Sequence, residues 1–288
     1  VKVRPFVASA VVRRVKLNDR SIKSLMHIQD ALTDTLGRKR RKVAIGIHDL
    51  DKITPPIVYT SAPPSEKMVP LGEKKEMSLK EILKVTEKGK EKANIISKAK
   101  MFPVFRDKLG IFSFPPIINS ERTRVTQKTK NLFLDLTAIE ERSLEQCLNI
   151  LVTNFYERGW KIEKVLVKYP NKKKVYPTLK EEKFKVEIEP LLKLIGLRLE
   201  KNMIKKCLGR MGLEAKIKGR FVEVSIPPYR VDILHPVDLA EEIAIGYGYD
   251  KIIPQLPNLA TVGKLHYIEK FLNEVRMVMV GLGFQEIM

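Results

Sequence analysis

Two cysteines, one tryptophan and only 7% aromatic residues in 288 positions leave several possibilities closed. Cys147 and Cys207 stand far apart, with no second cysteine or clustered histidine beside either, so the spacing of a zinc site is missing. They read as reduced thiols within helices, as expected of a cytoplasmic protein. No window approaches the roughly 18 continuous apolar residues of a membrane span. The opening VKVRPFVASAVV lacks the order of a secretory signal, in which charges precede a long apolar block. Acidic residues are scarce: 34 Asp+Glu face 54 Lys+Arg, a formal net charge of +20, and residues 1–50 alone hold 12 basic against 4 acidic side chains. Such an excess favours a polyanionic partner such as nucleic acid. A lysine-rich surface of the thermophile kind is the plain alternative. The few aromatics are not interleaved with the basic residues, so no base-stacking platform is evident.

What remains is ample for packing. With 44% hydrophobic residues over this length, two domains are expected rather than one. VRPFVASAVVRRV (3–15) alternates as a strand, and SIKSLMHIQDALTDTLG (21–37) has helical spacing with Gly37 as its expected C-cap. GRKRRK (37–42) is a basic run leading into the buried-strand candidate Val43–Ile47. Residues 55–100 are rich in Pro, Lys and Glu and are expected to wrap the surface, with one capping-box signal at Ser78–Glu81. MFPVFRDKLGIFSFPP predicts a hairpin turning at Asp107–Gly110. NLFLDLTA (131–138) sets Leu132, Leu134 and Leu136 on one face and Phe133, Asp135 and Thr137 on the other. A helix over 145–156 and a strand over 161–170 complete an α+β first part. NKKKVYPTLKEEK (171–183) is the best linker. Beyond it the pattern predicts a strand at 184–188, helices at 189–196 and 200–211, strands at 213–218 and 221–226, a helix ending at Gly246, and an amphipathic helix over 267–281. FQEIM reads as a strand cut short, which suggests truncation within a further domain.

RVDILHPVDLAEE (230–242) concentrates four carboxylates, Asp232, Asp238, Glu241 and Glu242, in this basic chain. Asp238 followed three residues later by Glu241 is a capping-box pattern, and Arg230 is placed to hold Asp232. All four are also hard oxygen donors of the kind that suits Mg²⁺. Adjacent Glu241 and Glu242 project about 100° apart on a helix, which makes joint ligation difficult.

PPYRVDILHPVDLAEEIAIGYGYDKI closely resembles the signature of the B5 domain found in the β subunit of phenylalanyl-tRNA synthetases. RKRRKVAIGIHDLD, LGIFSFPPIIN and TKNLFLDLTA resemble the B3/B4 domain of the archaeal and eukaryotic branch. IEKFLNEVRMVMVGLGFQEIM is similar to the opening of the catalytic-like domain that follows. The resemblance covers nearly the whole chain. It implies a mixed sheet-and-helix B3/B4 editing domain at 1–173, a winged-helix-like B5 domain at 174–255, and the start of a catalytic-like domain at 256–288. It assigns one Mg²⁺ to Asp232, Asp238, Glu241 and Glu242, whose spacings match the family's. It implies hydrolysis of tRNA(Phe) mischarged with tyrosine, in a pocket carried by Val104, Ser113, Asp135 and Thr137.

His48 is the candidate to orient the attacking water, and no Ser-His-Asp or Cys-His spacing suggests an acyl-enzyme. The partners implied are tRNA(Phe) and a catalytic α subunit in an (αβ)2 heterotetramer, in the cytoplasm and without membrane. The alternative is a scaffold that binds RNA and docks the α subunit without catalysis.

Overall fold

The computed structural model describes residues 1–256 and 258–287. They fall into two units, Val1–Tyr247 and Gly248–Met288.

The first unit begins with Phe6–Arg13 (β1) and the helix Asp19–Asp34 (α1). The helix starts before the predicted residue 21, because Asn18 and Ser21 form a reciprocal capping box. It also ends before Gly37. Arg38, Lys39 and Arg40 follow at φ 48°, 53° and 66°, a left-handed turn made of long side chains. Such backbone costs about 1–2 kcal/mol per residue, or about 3–6 kcal/mol for the three. The turn folds back on the helix end. The N–H groups of Gly37, Arg38, Lys39 and Arg40 donate to the carbonyls of Leu32, Thr35, Asp34 and Thr33, satisfying acceptors that a helix terminus leaves unpaired. Gly37 is not a left-handed cap. A Cβ there would lie 2.4 Å from the Thr33 carbonyl oxygen and 2.6 Å from that of Val43, so close backbone approach requires the glycine.

Val43–Asp49 (β2) follows. Then come Val58–Ala62 (β3), the short pair Lys67–Met68 (β4) and Met77–Ser78 (β5), and the helices Leu79–Val85 (α2) and Glu87–Lys92 (α3). The Ser78–Glu81 capping box is present. Residues 55–100 are more than a surface wrap, since Leu79, Ile82 and Ile96 are buried with Phe102, Val104 and Phe114 in one core. Their apolar faces outweigh the lysines between them. The predicted hairpin is Phe102–Asp107 (β6) and Gly110–Phe114 (β7), and Ile118–Asn119 (β8) extends it. Leu132–Ala138 (β9), the helix Glu141–Glu157 (α4), Lys161–Lys168 (β10) and Lys173–Tyr176 (β11) complete this part.

The main sheet has the order β11-β10-β1-β9-β2, and its pairings are antiparallel. Leu132, Leu134 and Leu136 share a core with Ala8, Ala10, Val12 and the inner side of α4, including Cys147. Burial pushes the Cys147 thiol up to about 12. The opposite face carries Val7 and Phe133, which pack with Phe105 and Phe112 of the second sheet, β3-β6-β7-β8. Asp135 and Thr137 lie on that inter-sheet face, as the alternation predicted.

Residues 171–183, expected to be a linker, include the strand Lys173–Tyr176 and the start of the next one. Tyr176 is buried in the main core, and only 177–181 lie between β11 and the next strand, Glu182–Glu187 (β12). A small domain follows: helices Ile188–Ile195 (α5) and Lys201–Arg210 (α6), strands Glu214–Lys218 (β13) and Phe221–Ile226 (β14), and helix Pro236–Tyr247 (α7). Its sheet has the order β12-β14-β13 and shares a separate core with the three helices, where Cys207 is buried.

The second unit contains Tyr267–Gly281 (α8), whose Ile268, Phe271, Leu272 and Val275 are exposed. Residues 284–287 form no strand, and none of the described residues pairs with them in a sheet. Met288, the last residue of the predicted strand, lies outside the described residues. Among the described residues no helix is long and apolar enough to cross a membrane.

Candidate functional site

Asp135 sits mid-strand in β9, in register with Ser9 on β1 and Gly46 on β2. It is 1% exposed. Its Oδ2 lies 2.9 Å from His48 Nε2, and His48 Nδ1 lies 2.8 Å from Thr123 Oγ1. A carboxylate only accepts, so His48 Nε2–H is the donor in this pair. The His48 ring is fully buried and meets Phe112 edge-on, with centroids 5.1 Å apart. Both of its nitrogens are therefore engaged. Gly46 makes the arrangement possible, because a Cβ there would stand 2.3 Å from Asp135 Oδ1 and 2.8 Å from His48 Nε2. The absent side chain leaves the second carboxylate oxygen room beside the β2 backbone.

Thr123, at the outer end of this chain of bonds, lines a cavity of about 660 Å³ with Ile22, Met26, Arg40, Asn119 and Arg124 among its other walls. Asp135, Thr137, Ser113 and Val104 do not line it.

Thr137 is tied to Arg4. The Arg4 guanidinium donates to Thr137 Oγ1 at 3.0 Å and to the Thr137 carbonyl at 2.6 Å. It also donates to the carbonyls of Arg40, Arg41 and Lys42 at 3.2, 3.3 and 3.4 Å. Arg4 is thus a buried cation whose charge is met by carbonyls, and burial lowers its pKa to about 10. Arg40, also buried, donates to the carbonyls of Pro116 and Ile117 at 3.2 Å, and burial holds its pKa below the usual arginine value. The Arg4 and Arg40 side chains thus join the left-handed turn to both sheets.

Ser113 is buried on β7, in register with Phe105 and Asn119, and Val104 is buried in the core formed with α2. Of the four expected pocket residues, Asp135 and Thr137 share a strand face, whereas Val104 and Ser113 belong to the second sheet.

The four acids of the small domain do not converge. Arg230 donates to Asp232 at 3.0 and 2.7 Å and to Glu242 at 3.1 and 2.6 Å. Those two hydrogen-bonded carboxylates hold the Arg230 pKa above its usual value, and Arg230 in turn lowers that of Asp232. The helix starts at Pro236, earlier than expected, because proline suits the first helical position. Asp238 is therefore not the cap residue. It reaches back to accept from the N–H groups of Leu234 and His235, both at 2.7 Å, which holds its pKa down. Glu241 is exposed while Glu242 is buried. Among the described residues no group of three acidic, histidine or cysteine side chains is gathered as a metal site. The expected ligand set Asp232, Asp238, Glu241 and Glu242, as placed here, does not fit a magnesium ion. Two of the four, Asp232 and Glu242, are instead paired with Arg230.

The chain matches the B3/4 domain over residues 4–168 and the tRNA synthetase B5 domain over residues 184–249. It is 41% identical over 288 residues to the phenylalanine–tRNA ligase β subunit of Thermococcus kodakarensis, covering 99% of this chain and 50% of that one. It is 43% identical over 289 residues to the β subunit of Pyrococcus furiosus, covering 99% and 52%. The crystal structure of an N-terminal fragment of the Pyrococcus horikoshii phenylalanyl-tRNA synthetase β subunit matches with a TM-score of 0.83 at 41% identity, covering 86% of this chain and 72% of that one.

The chain belongs to the phenylalanyl-tRNA synthetase β-subunit family. It spans about half the length of the curated family members it matches. Three residues that sequence reasoning missed contact the candidate residues: Arg4 bonds Thr137, Thr123 bonds His48, and Gly46 lies against Asp135. Gly46 carried a signal, as a glycine in the interior of a strand, VAIGIHD. Arg4 and Thr123 carried none, because each acts across more than 70 residues of chain.

Proposed function

We propose that this chain carries the hydrolytic editing activity of a phenylalanyl-tRNA synthetase β subunit, acting on tRNA(Phe) mischarged with tyrosine. The observation that carries the reading is Asp135, a buried carboxylate with Oδ2 held by His48 and Oδ1 left beside Gly46. Phenylalanine and tyrosine differ by one hydroxyl, and an apolar synthetic pocket rejects an added hydroxyl by only about a hundredfold. A second pocket ending in a carboxylate selects for that hydroxyl, through a charge-assisted bond of about 1.5–3 kcal/mol. Phenylalanyl-tRNA would leave Oδ1 desolvated and without a hydrogen bond, with only Oδ2 held by His48, so the correct product is spared.

In the chemical step, water adds to the ester carbonyl and the bond to the terminal ribose oxygen breaks. Free tyrosine and a tRNA hydroxyl result. With both ring nitrogens engaged, His48 suits the orientation of Asp135 better than the activation of water. The neighbouring tRNA hydroxyl is the group proposed to assist the attack. Ser113 and Thr137 are proposed to line the pocket and Val104 to form its wall. The proposal places the chain in the cytoplasm with tRNA(Phe) and a catalytic α subunit in an (αβ)2 assembly. The ligase reaction itself belongs to the whole enzyme.

One observation favours a scaffold without catalysis: Val104, Ser113, Asp135 and Thr137 are each no more than 1% exposed. The deciding experiment incubates the purified chain with tyrosyl-tRNA(Phe) and phenylalanyl-tRNA(Phe). Selective release of tyrosine supports editing, and equal stability of both esters supports the scaffold.

A further inference from the structure

We propose that the turn Arg38–Arg41 is a preorganised phosphate clamp, which holds the RNA backbone beside the cavity that Arg40 and Thr123 line. Four consecutive basic residues at a helix end need no partner if they are merely solvated. Three features set this turn apart. Arg38, Lys39 and Arg40 hold left-handed backbone that asparagine or glycine would adopt with less strain, yet every position carries a long cation. The turn is fixed from within, because Arg4 donates to the carbonyls of Arg40 and Arg41, and the Arg40 side chain bonds across to Pro116 and Ile117. Finally, Arg38, Lys39 and Arg41 are exposed, and none forms an ion pair among the described residues. Their neighbours differ: Arg40 is buried near Asp30 and Lys42 pairs with Glu140. The backbone is held while three cations are left to solvent.

That combination suits a run of phosphates better than a single carboxylate. A rigid backbone loses little freedom on binding, and several unpaired cations on one turn match a chain of regularly spaced charges. Arg40 belongs to the same turn and lines the cavity with Thr123, which hydrogen-bonds to His48 and through it reaches Asp135. An RNA held on the turn would therefore lie beside a cavity whose Thr123 wall is two hydrogen bonds from Asp135. The inference rests on reading the chain as part of an RNA-acting enzyme. It does not require the editing step.

The test measures binding of uncharged tRNA(Phe) transcript to the full chain by fluorescence anisotropy at several salt concentrations. Arg38→Asn/Lys39→Asn/Arg41→Asn removes three charges, and asparagine tolerates the left-handed turn. The control, Lys164→Gln/Lys168→Gln/Lys173→Gln, removes the same charge from exposed positions on β10 and β11, at the other edge of the main sheet from β2. The turn variant is expected to bind at least about tenfold more weakly near 0.1 M salt. Its log–log salt slope should fall by about two to three, as three lost phosphate contacts require. The control should change affinity by less than about twofold.

Equal weakening of both variants would reduce the turn to net charge and overturn the proposal, as would an unchanged salt slope. Loss of binding to phosphatidylserine vesicles with tRNA binding intact would assign the turn to a membrane and also overturn it. Uncharged transcript keeps this proposal separate from editing. A chain that binds through the turn yet leaves tyrosyl-tRNA intact contradicts editing alone. One that deacylates with the same KM after the triple substitution contradicts the clamp alone.

Discussion

Gly46 and Asp135 are opposite one another in register, and the contact between them leaves no room for a Cβ at position 46. Gly46→Ala places a methyl group 2.3 Å from Asp135 Oδ1, so either the carboxylate or the β2 backbone must shift. Overpacking of this kind costs about 1–3 kcal/mol. The expected outcome is a lower denaturation midpoint together with at least tenfold slower deacylation of tyrosyl-tRNA, because the bond to His48 is disturbed at the same time. Normal deacylation by the alanine variant would mean that Asp135 is not held as described.

In the small domain the corresponding residue is Arg230. Glu242 is buried and depends on it, whereas Asp232 is mostly exposed. Arg230→Met should therefore cost about 2–3 kcal/mol by stranding Glu242. Asp232→Ala should cost less than about 1 kcal/mol, as expected of an exposed pair. Magnesium and EDTA should leave the melting temperature of the unaltered chain unchanged. A magnesium-dependent stabilisation that Asp232→Ala removes would instead restore the metal site implied by the family resemblance.

The elements were legible where one periodicity dominated. Alternation in NLFLDLTA separated Leu134 and Leu136 from Asp135 and Thr137, and the structure keeps that separation on opposite faces of one sheet. The Asp107–Gly110 turn and the helices of the small domain followed from equally local signals. Boundaries set by distant groups were not legible. The end of α1 depends on a left-handed turn held by Arg4, which lies on the far side of β1 in sequence. Residues 171–183 are charged enough to read as a linker. Tyr176 nonetheless docks in the main core, and burial of its ring outweighs the lysines on either side. The Asp135–His48–Thr123 chain joins three segments that share no sequence pattern, so its members were seen separately or not at all.

A prediction follows for β11 and β12. Limited proteolysis is expected to cut first at 177–181, between the two strands, and to release a small domain starting near residue 182. Early cleavage within 184–247 would contradict this partition, since those residues share one core.

At the scale of the molecule, positive charge, the pinned basic turn and a buried acid that faces away from the main core meet in the B3/4 domain. The B5 domain contributes a separate apolar core, beside which Arg230 pairs with Asp232 and Glu242. The proposed acceptor for the tyrosyl hydroxyl is a single atom, Asp135 Oδ1. Asp135→Asn tests it most directly. Asparagine keeps the size of the side chain and retains a carbonyl oxygen for His48, but it presents an amide donor where Oδ1 accepts. Single-turnover hydrolysis of tyrosyl-tRNA(Phe) by the folded Asp135→Asn chain should fall by about ten- to a hundredfold, the equivalent of about 1.4–2.7 kcal/mol, with phenylalanyl-tRNA spared as before. Wild-type rates from this variant would place tyrosine recognition elsewhere and contradict the account.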